Sequence, residues 1–231
     1  MITAVILAGG MGKRLRKAVP NLPKPMAPIR GRPFLEYLLD YWINQGVKKF
    51  ILSVGYMSEV VIDHFGNNYK KADLLYSIEY QPLGTGGALL HSTKELTEPF
   101  LVINGDTFAE VNLRSLISFH IKNYSEWTFA LHRVYKNNRY MGVNLLQNGN
   151  ISDFNLSNKI DNQLINAGVY IMNPSALGIF DEESKKNTLS LENDFINIFM
   201  KKNKKIYGFE YEGLFIDIGI PDDYLLANKI L

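Results

Sequence analysis

Short apolar runs alternate with amphipathic stretches through the first hundred residues of the chain. Four of these runs predict buried strands: ITAVIL (2–7), KKFILSV (48–54), LLYSIEY (74–80) and PFLVING (99–105). Three stretches between and after them predict helices: PFLEYLLDYWINQG (33–46), SEVVIDHFG (58–66) and GGALLHSTKEL (86–96). Because strands and helices alternate, we predict a parallel sheet with helices on both of its faces. Ligands of such sheets bind beyond the carboxyl ends of the strands, and the loops AGGMGKR (8–14), QPLGTGG (81–87) and NGD (104–106) are all predicted at that edge.

From about Trp127 onward, the pattern changes to consecutive strands separated by turn residues. The predicted strands are WTFALHRV (127–134), MGVNLLQNGNISDF (141–154, with a turn at NGN) and QLINAGVYIM (163–172). The end of the chain predicts a helix, two strands and a closing helix: SLENDFINIFMKK (190–202), KIYGFEY (205–211), LFIDIG (214–219) and IPDDYLLANKIL (220–231). The fold class is therefore α/β, with strands added around a pocket in the second half.

Composition narrows the function classes. The 231 residues are 46% hydrophobic, which suits one globular domain, and the formal net charge of +2 gives no reason to expect a nucleic acid or a membrane surface as partner. The chain contains no cysteine, so it has no disulfide framework and no thiolate metal site. We see no secretory signal and no apolar run of the roughly 18 residues that span a bilayer, and we expect a cytoplasmic protein. The sequence leaves open whether it is a monomer or a homodimer.

The stretch LAGGMGKRL (7–15) follows the first predicted strand and combines three glycines with two cations. Gly9, Gly10 and Gly12 allow backbone N–H groups to point at one spot, and a nearby helix start would add positive potential. Arg14 and Lys13 add full charges, so a phosphate chain is the candidate guest. The alternative is an ordinary glycine-rich turn with solvated cations, and neither the Gly-Lys-Ser/Thr loop nor the dinucleotide fingerprint matches.

Two further loops carry candidate binding residues. In LPKPM (22–26), two prolines stiffen the backbone around Lys24, which is either a placed point charge or a surface lysine in a turn. PLGTGGAL (82–89) is a second glycine-dense turn, on which a flat ring can lie. Just before it, Glu79 can only accept hydrogen bonds, and guanine offers two adjacent donors. Glu79 is therefore either a guanine-reading residue or an exposed glutamate on an edge strand.

Two carboxylates follow predicted strands. Asp106 ends INGD (103–106), and Asp217 lies among apolar residues in FIDIG (215–219). An acid in an apolar strand is costly unless it is paired or binds a metal. Two carboxylates that converge on phosphates suit Mg²⁺, whereas Asp217 alone would also suit a cap or a buried salt bridge.

Taken in order, seven motifs resemble the sugar-1-phosphate nucleotidyltransferase family: LAGGMGKRL, LPKPM, PLGTGGAL, NGD, INAGVYIM, SLENDF and FIDIGIPDDY. The resemblance covers almost the whole chain, and within the family it is greatest to the bacterial D-glycero-α-D-manno-heptose 1-phosphate guanylyltransferases. It implies a Rossmann-like, three-layer α/β/α fold of the GT-A-like kind, with a mixed, mainly parallel central sheet. It also implies a single domain, 1–231, in which residues 1–125 mainly bind the nucleotide and residues 126–231 mainly bind the sugar.

The resemblance assigns a role to each motif residue. Arg14 and Lys24 are the implied catalytic cations, and Asp106 and Asp217 the implied Mg²⁺ ligands. The implied nucleotide-binding residues are Leu7, Ala8, Gly9, Gly10, Gly12, Lys13, Glu79, Pro82, Gly84, Thr85 and Gly87. The implied sugar-binding residues are Asn104, Gly142, Asn166 and Glu192.

The chain departs from the family pattern at two places. Leu156 and Ser157 stand where relatives carry Glu-Lys, and Asn193 replaces the lysine of many heptose-type relatives. Both changes remove positive charge near the expected sugar phosphate, so Lys159 or another cation substitutes, turnover is slow, or the sugar differs.

The reaction implied is transfer of GMP from GTP to a heptose 1-phosphate, giving a GDP-sugar for surface polysaccharide and releasing pyrophosphate. Two alternatives stay open. One is the same reaction with UTP, dTTP or CTP and a hexose 1-phosphate. The other is a non-catalytic protein that binds nucleotide sugars. A nicotinamide-dependent dehydrogenase fits poorly, because the glycine spacing is wrong for it.

Overall fold

The computed structural model describes residues 2–12, 14–136, 139–155, 161–180 and 188–231. The strands are β1 Ala4–Leu7, β2 Pro28–Ile29, β3 Arg32–Pro33, β4 Lys49–Val54, β5 Asn68–Tyr69, β6 Ala72–Ile78, β7 Phe100–Asn104, β8 Thr107–Ala109, β9 Trp127–Lys136, β10 Gly142–Leu145, β11 Ile151–Asn155, β12 Asp161–Met172, β13 Ile206–Tyr211 and β14 Phe215–Asp217. The α-helices are α1 Phe34–Asn44, α2 Ser58–Phe65, α3 Gly84–Ser92, α4 Leu113–Lys122, α5 Ile196–Lys201 and α6 Pro221–Ile230.

The four strands predicted in the first half form the parallel centre of the large sheet, in the order β7-β1-β4-β6. Along β1, Ala4 and Ile6 face one hydrophobic core and Val5 faces a second one. The first core takes in residues of α1, α2, α4 and α6, and the second takes in residues of α3 and α5. Both faces of the sheet are therefore covered by helices, which explains why the central strands are nearly continuous apolar runs.

The second half extends this sheet with antiparallel pairs and one further parallel pair. The long strand β12 pairs with β7, β9 and β10, and β9 pairs in parallel with β13. The NGN turn joins β10 to β11, as predicted. The expected three-layer, Rossmann-like α/β architecture with a mixed sheet and added strands is thus confirmed.

Three local features differ from the pattern analysis. Helix α4 was not predicted, although Asn112 caps it by accepting a hydrogen bond from the Ser115 amide (2.9 Å). The predicted helix 190–202 begins as a π-helical turn, Leu191–Phe195, before α5. Strand β14 pairs with β8 in a separate two-stranded sheet, where Asp217 lies opposite Thr107. This pairing brings Asp217 next to Asp106 in space.

Among the described residues, no helix combines the length and the apolar composition that a membrane crossing requires.

Candidate active site

A cavity of about 610 Å³ opens where the central parallel strands end. Its wall includes residues that directly follow β1, β4, β6 and β7, which is the edge where ligands of such sheets bind and where the sequence predicted them. The lining residues are Leu7, Ala8, Gly9, Gly10, Met11, Gly12, Arg14, Lys24, Pro25, Gly55, Tyr56, Glu79, Tyr80, Pro82, Gly84, Thr85, Ala88, Asn104, Gly105, Asp106, Glu192 and Gly219.

The glycine loop after β1 forms one side of this cavity. Gly12 has a φ of +57°, and a β-carbon there would lie 3.0 Å from Cβ of Lys24, so the loop packs directly on the lysine stem. The element that begins after the loop is a three-residue 3₁₀ turn, Leu15–Lys17. A turn this short supplies little helix dipole, so positive potential here depends on side chains and loop amides. Lys13 lies outside the described residues.

Lys24 is fixed at the floor of the cavity. It begins a 3₁₀ turn between Pro23 and Pro25, and the Met26 amide donates to the Pro23 carbonyl (2.8 Å). Only 10% of the lysine side chain is exposed, and its Nζ forms an ion pair with Asp106. The structure therefore favours the placed point charge over the surface lysine. Arg14 also lines the cavity, but it is exposed to solvent.

The carboxylates of Asp106 and Asp217 belong to one charge cluster. The Ile218 amide donates to the Asp106 carbonyl (3.0 Å), which holds the two strand ends together. Burial, and then the charge on Asp106, raises the pKa of Asp217, while Lys24 and Arg139 act in the opposite direction. Asp217 also forms an ion pair with Arg139, so the buried salt bridge considered from the sequence is present as well.

The two carboxylates suit a Mg²⁺ ion that is also bound by substrate and water better than they suit a metal ion bound by protein side chains alone. No group of three or more His, Cys, Asp or Glu side chains suited to a metal occurs within the described parts of the chain. Mg²⁺ in phosphate-transfer sites is usually bound by one or two carboxylates together with substrate phosphates and water. Asp106 and Asp217 match that donor set, since Asp106 lines the cavity and Asp217 adjoins it.

Glu79 lines the same cavity, and it follows a strand that is not at the edge of the sheet, since β6 lies between β4 and β5. The side chain follows β6 and is half-buried, and burial raises the pKa of its carboxyl group. One carboxylate oxygen accepts from the Leu83 amide (3.2 Å) and the other from the Ser53 hydroxyl (3.3 Å). A β-carbon on Gly9 would overlap the oxygen that Ser53 contacts, so Gly9 leaves the space in which the carboxylate sits.

The second glycine turn packs against the segment before α5. Gly84 has a φ of +75°, and a β-carbon there would overlap the Leu189 carbonyl, while one on Gly86 would lie 2.7 Å from the Phe195 ring. Thr85 donates to Glu192 (3.1 Å) and accepts from the Leu191 amide (2.8 Å). The glycines are thus required for chain packing, a reason that the sequence argument about a flat ring did not identify.

The predicted sugar-binding residues divide into two groups. Asn104 and Glu192 line the cavity, and Asn104 Oδ1 is buried without a hydrogen-bond partner among the described residues. Asn166 lies behind the wall, where it donates to the Tyr170 hydroxyl (2.8 Å) and accepts from the Gly168 amide (3.0 Å). Gly142 of β10 and Gly87 of α3 are also outside the lining set. The remaining predicted residues of the described chain, Asp217 apart, line the cavity.

Two aromatic residues that line the cavity were not identified from the sequence, and neither was Arg139, which lies next to it. Tyr56 and Tyr80 line the cavity, and Tyr80 is 92% exposed. Arg139 precedes β10 and pairs with both Asp217 and Asp223. The one signal in the sequence was Asp217, which was expected to need a partner in its apolar strand. That signal could not identify Arg139 among the 25 lysines and arginines of the chain.

Comparison with known proteins agrees with this site. The family model described as Nucleotidyl transferase matches residues 3–231. The D-glycero-α-D-manno-heptose 1-phosphate guanylyltransferase of Aneurinibacillus thermoaerophilus is 44% identical over 230 residues, which is 99% of this chain and 97% of that protein. The protein of the same name from Campylobacter jejuni is 36% identical over 221 residues, 96% of each chain.

A solved structure is similar over the full length. The crystal structure of HddC from Yersinia pseudotuberculosis complexed with GMP-PN superimposes with a TM-score of 0.86 at 33% identity, covering 99% of both chains. The resemblance drawn from the seven motifs is therefore confirmed.

Proposed function

The chain belongs to the nucleotidyl transferase family, and we propose from that premise that it transfers GMP from GTP to a sugar 1-phosphate and releases pyrophosphate. The acceptor we propose is D-glycero-α-D-manno-heptose 1-phosphate, because two full-length relatives are named for that substrate. The product is then a GDP-heptose, an activated sugar suited to building a surface polysaccharide.

One observation supports the proposal most strongly: the half-buried carboxylate of Glu79 lines the same cavity as the charged side chains of Arg14, Lys24 and Asp106. Glu79 presents only acceptors, and guanine presents its N1–H and exocyclic amine side by side. Uracil, thymine and cytosine lack that pair of adjacent donors. Glu79 therefore supports guanine as the base.

The charged residues around Lys24 and Asp106 are suited to catalysis by positioning the two reactants and neutralising their negative charge. Two unit charges ~4 Å apart at an effective dielectric of ~20 repel by ~4 kcal/mol, so two phosphorylated reactants need nearby cations. Lys24 is placed between the glycine loop and Asp106, and Arg14 lines the same wall. Asp106 and Asp217 would hold Mg²⁺, which supplies further positive charge to the phosphate oxygens.

The reaction needs no general base. An oxygen of the sugar 1-phosphate attacks the α-phosphorus of GTP and forms a new P–O bond. The bond from that phosphorus to the α,β-bridging oxygen breaks, and pyrophosphate leaves with the electron pair. Because the attacking oxygen is already anionic, the side chains have to align the two reactants and offset their repulsion.

Asn104 and Glu192 line the part of the cavity to which we assign the sugar. Oδ1 of Asn104, which is buried and has no hydrogen-bond partner in the described part of the chain, can accept a hydrogen bond from a sugar hydroxyl, which would offset the cost of burying it. We propose that Gly142 and Asn166 shape the pocket from behind the wall. We also propose a single domain, with residues 1–125 mainly binding the nucleotide and residues 126–231 mainly binding the sugar.

Pyrophosphate release tests this function directly. With heptose 1-phosphate present, GTP is expected to give a higher kcat/KM than UTP, dTTP or CTP. Glu79→Gln should lower that discrimination about 10- to 100-fold, because the amide turns a donor toward one guanine donor. Glu110→Gln is the matched control, since Glu110 also accepts from a backbone amide (Leu214, 2.8 Å) but lies outside the lining set. Equal rates with all four nucleotides would remove the guanine assignment.

Gly9→Ala tests the same contact from the other side. The added methyl group overlaps the Glu79 carboxylate, the mobile end of a side chain, so the chain should fold while Glu79 is displaced. We expect GDP affinity, measured by calorimetry, to fall about 10-fold or more with little change in Tm. Gly178→Ala is the control, because a β-carbon there meets no atom of the described residues within 4 Å. Unaltered GDP affinity in Gly9→Ala would mean that Glu79 does not bind the base.

A further inference from the structure

Arg139 joins three separate parts of the fold beside the phosphate end of the cavity. It lies just before β10, and its guanidinium pairs with Asp217 of β14 and with Asp223 in the first turn of α6. Its side chain is 23% exposed. Since two carboxylates hold the guanidinium at neighbouring nitrogens, its position is well defined before any ligand binds.

Arg139 and Lys24 approach the same point of the wall. A β-carbon built on Gly219, which lines the cavity, would lie 2.6 Å from an outer guanidinium nitrogen of Arg139 and 3.2 Å from Nζ of Lys24. The guanidinium nitrogen is the one that pairs with Asp217. Oδ1 of Asp217 would lie 2.7 Å from the same β-carbon, so the absence of a side chain at Gly219 leaves two cationic groups and one carboxylate oxygen around one small space.

The charges near Gly219 indicate that an incoming sugar phosphate needs a cation in addition to Lys24. Among the described residues, Arg14 and Lys24 are the cations of the lining set, and Lys24 is already paired with Asp106. Asn193, where the family resemblance implies a lysine, is uncharged, and its side chain is exposed; Lys159, the substitute considered from the sequence, lies outside the described residues. An incoming sugar phosphate adds negative charge to a cluster that already holds Asp106, Asp217 and Asp223.

We propose that Arg139 is the second cation of the sugar-phosphate site, where it and Lys24 together bind the phosphate group of the acceptor. The inference rests on the proposed function, because it assigns a residue to the acceptor of that reaction. A guanidinium has five donors and matches phosphate oxygens in pairs, so it can bind a phosphate without releasing every carboxylate. The contact with Asp223 anchors the arginine, and the nitrogen that faces Gly219 turns to the phosphate.

Arg139→Gln tests the proposal through a split between the two substrates. We expect the KM for heptose 1-phosphate to rise about 10- to 100-fold, because a charge-assisted contact to phosphate is lost. The Kd of GTP, measured by calorimetry, should stay within about 2-fold, since the proposed function assigns the GTP phosphates to the glycine loop rather than to Arg139. Binding of the sugar phosphate to the complex of protein, Mg²⁺ and α,β-methylene-GTP should weaken by the same factor as the KM rises.

Two controls separate this role from a structural one. Arg133→Gln removes an arginine of β9 that pairs with Glu210 (2.6 Å) and does not line the cavity. We expect no change in the KM for heptose 1-phosphate or in the Kd of GTP. Asp223→Asn removes the anchoring carboxylate and keeps the arginine. If Arg139 serves only to tie α6 to β14, Asp223→Asn and Arg139→Gln should be equally damaging, and our proposal would be wrong.

Arg139→Lys covers the case in which the glutamine variant does not fold. Retained charge without the planar fork should restore sugar-phosphate binding in part, to within about 10-fold of the unmodified protein. A KM for the sugar phosphate that stays within 2-fold in Arg139→Gln, or a loss shared equally with GTP, would overturn the inference. Failure of the proposed function is distinguishable, because the unmodified protein would then release no pyrophosphate from GTP and heptose 1-phosphate.

Discussion

Asp217→Asn is expected to lower kcat about 100- to 1,000-fold while Tm stays the same or rises. The activity falls because the variant loses a charged ligand that we assign to Mg²⁺, and losses of this size are typical when one electrostatic contact to a transition state is removed. Stability does not fall, since burial and then Asp106 raise the pKa of Asp217. An acid whose pKa is raised by folding costs stability at neutral pH, and the amide removes that cost. The Gly219 amide can still donate to the asparagine oxygen, as it does to Asp217 (2.6 Å).

Asp40→Asn is the matched control with the opposite pattern. Asp40 also has two cationic partners, Arg32 and Lys70, and its side chain is 21% exposed against 17% for Asp217, but it lies outside the cavity. Burial alone would raise the pKa of Asp40, yet hydrogen bonds from Lys70 and Arg32 outweigh it and lower the pKa. We therefore expect a slightly lower Tm and full activity. Equal kcat values for Asp217→Asn and the unmodified protein would place the metal elsewhere.

Lys24→Met is expected to slow the chemical step about 100- to 1,000-fold. Methionine keeps the stem on which Gly12 packs, so the loop should keep its shape while the charge that we propose for the phosphates disappears. The variant also leaves Asp106 without its cation, which should lower Tm by a few degrees. Rapid-quench measurement of a single turnover separates the bond-forming step from substrate binding and product release.

Lys204→Met controls for loss of a lysine ion pair as such. Lys204 pairs with Glu126 (2.7 Å) away from the cavity, and its side chain is 30% exposed. We expect an unchanged single-turnover rate in this variant. A Lys24→Met protein that loses thermal stability but keeps its single-turnover rate would show that Lys24 is purely structural.

The structure gives a reason for the crowding of charges in this site. Asp106 pairs with Lys24, and Asp217 pairs with Arg139, so each proposed metal ligand has a fixed cation beside it. These groups are positioned by prolines, strand pairing and glycine contacts before substrates bind. Preorganised charge of this kind needs little rearrangement when a highly charged transition state forms.

Local patterns in the sequence predicted the sheet edge and most of the site. Short apolar runs specify parallel strands, and the chain must leave each of them at the same edge, so loops such as 8–12 and 104–106 meet there whatever their separation in sequence. Helix α4 was not predicted from the sequence, although Asn112 is a typical N-cap residue and caps this helix in the structure.

The partners of the charged side chains could not be predicted, because they come from distant segments. Arg139 reaches Asp217 across 78 positions and Asp223 across 84, and no local pattern encodes either distance. The requirement for Gly86 likewise depends on Phe195, which is brought there by packing of the two segments.

By itself, the sequence determined the alternation of strands and helices, the order of the glycine loops and the chemical types available at the sheet edge, because these depend on neighbouring residues and on a repeating backbone geometry. The tertiary structure alone decided which cation neutralises which carboxylate, which glycines are needed for packing and which predicted residues reach the cavity wall. Those outcomes depend on angles and distances between segments, and they are set only when both hydrophobic cores close around the sheet.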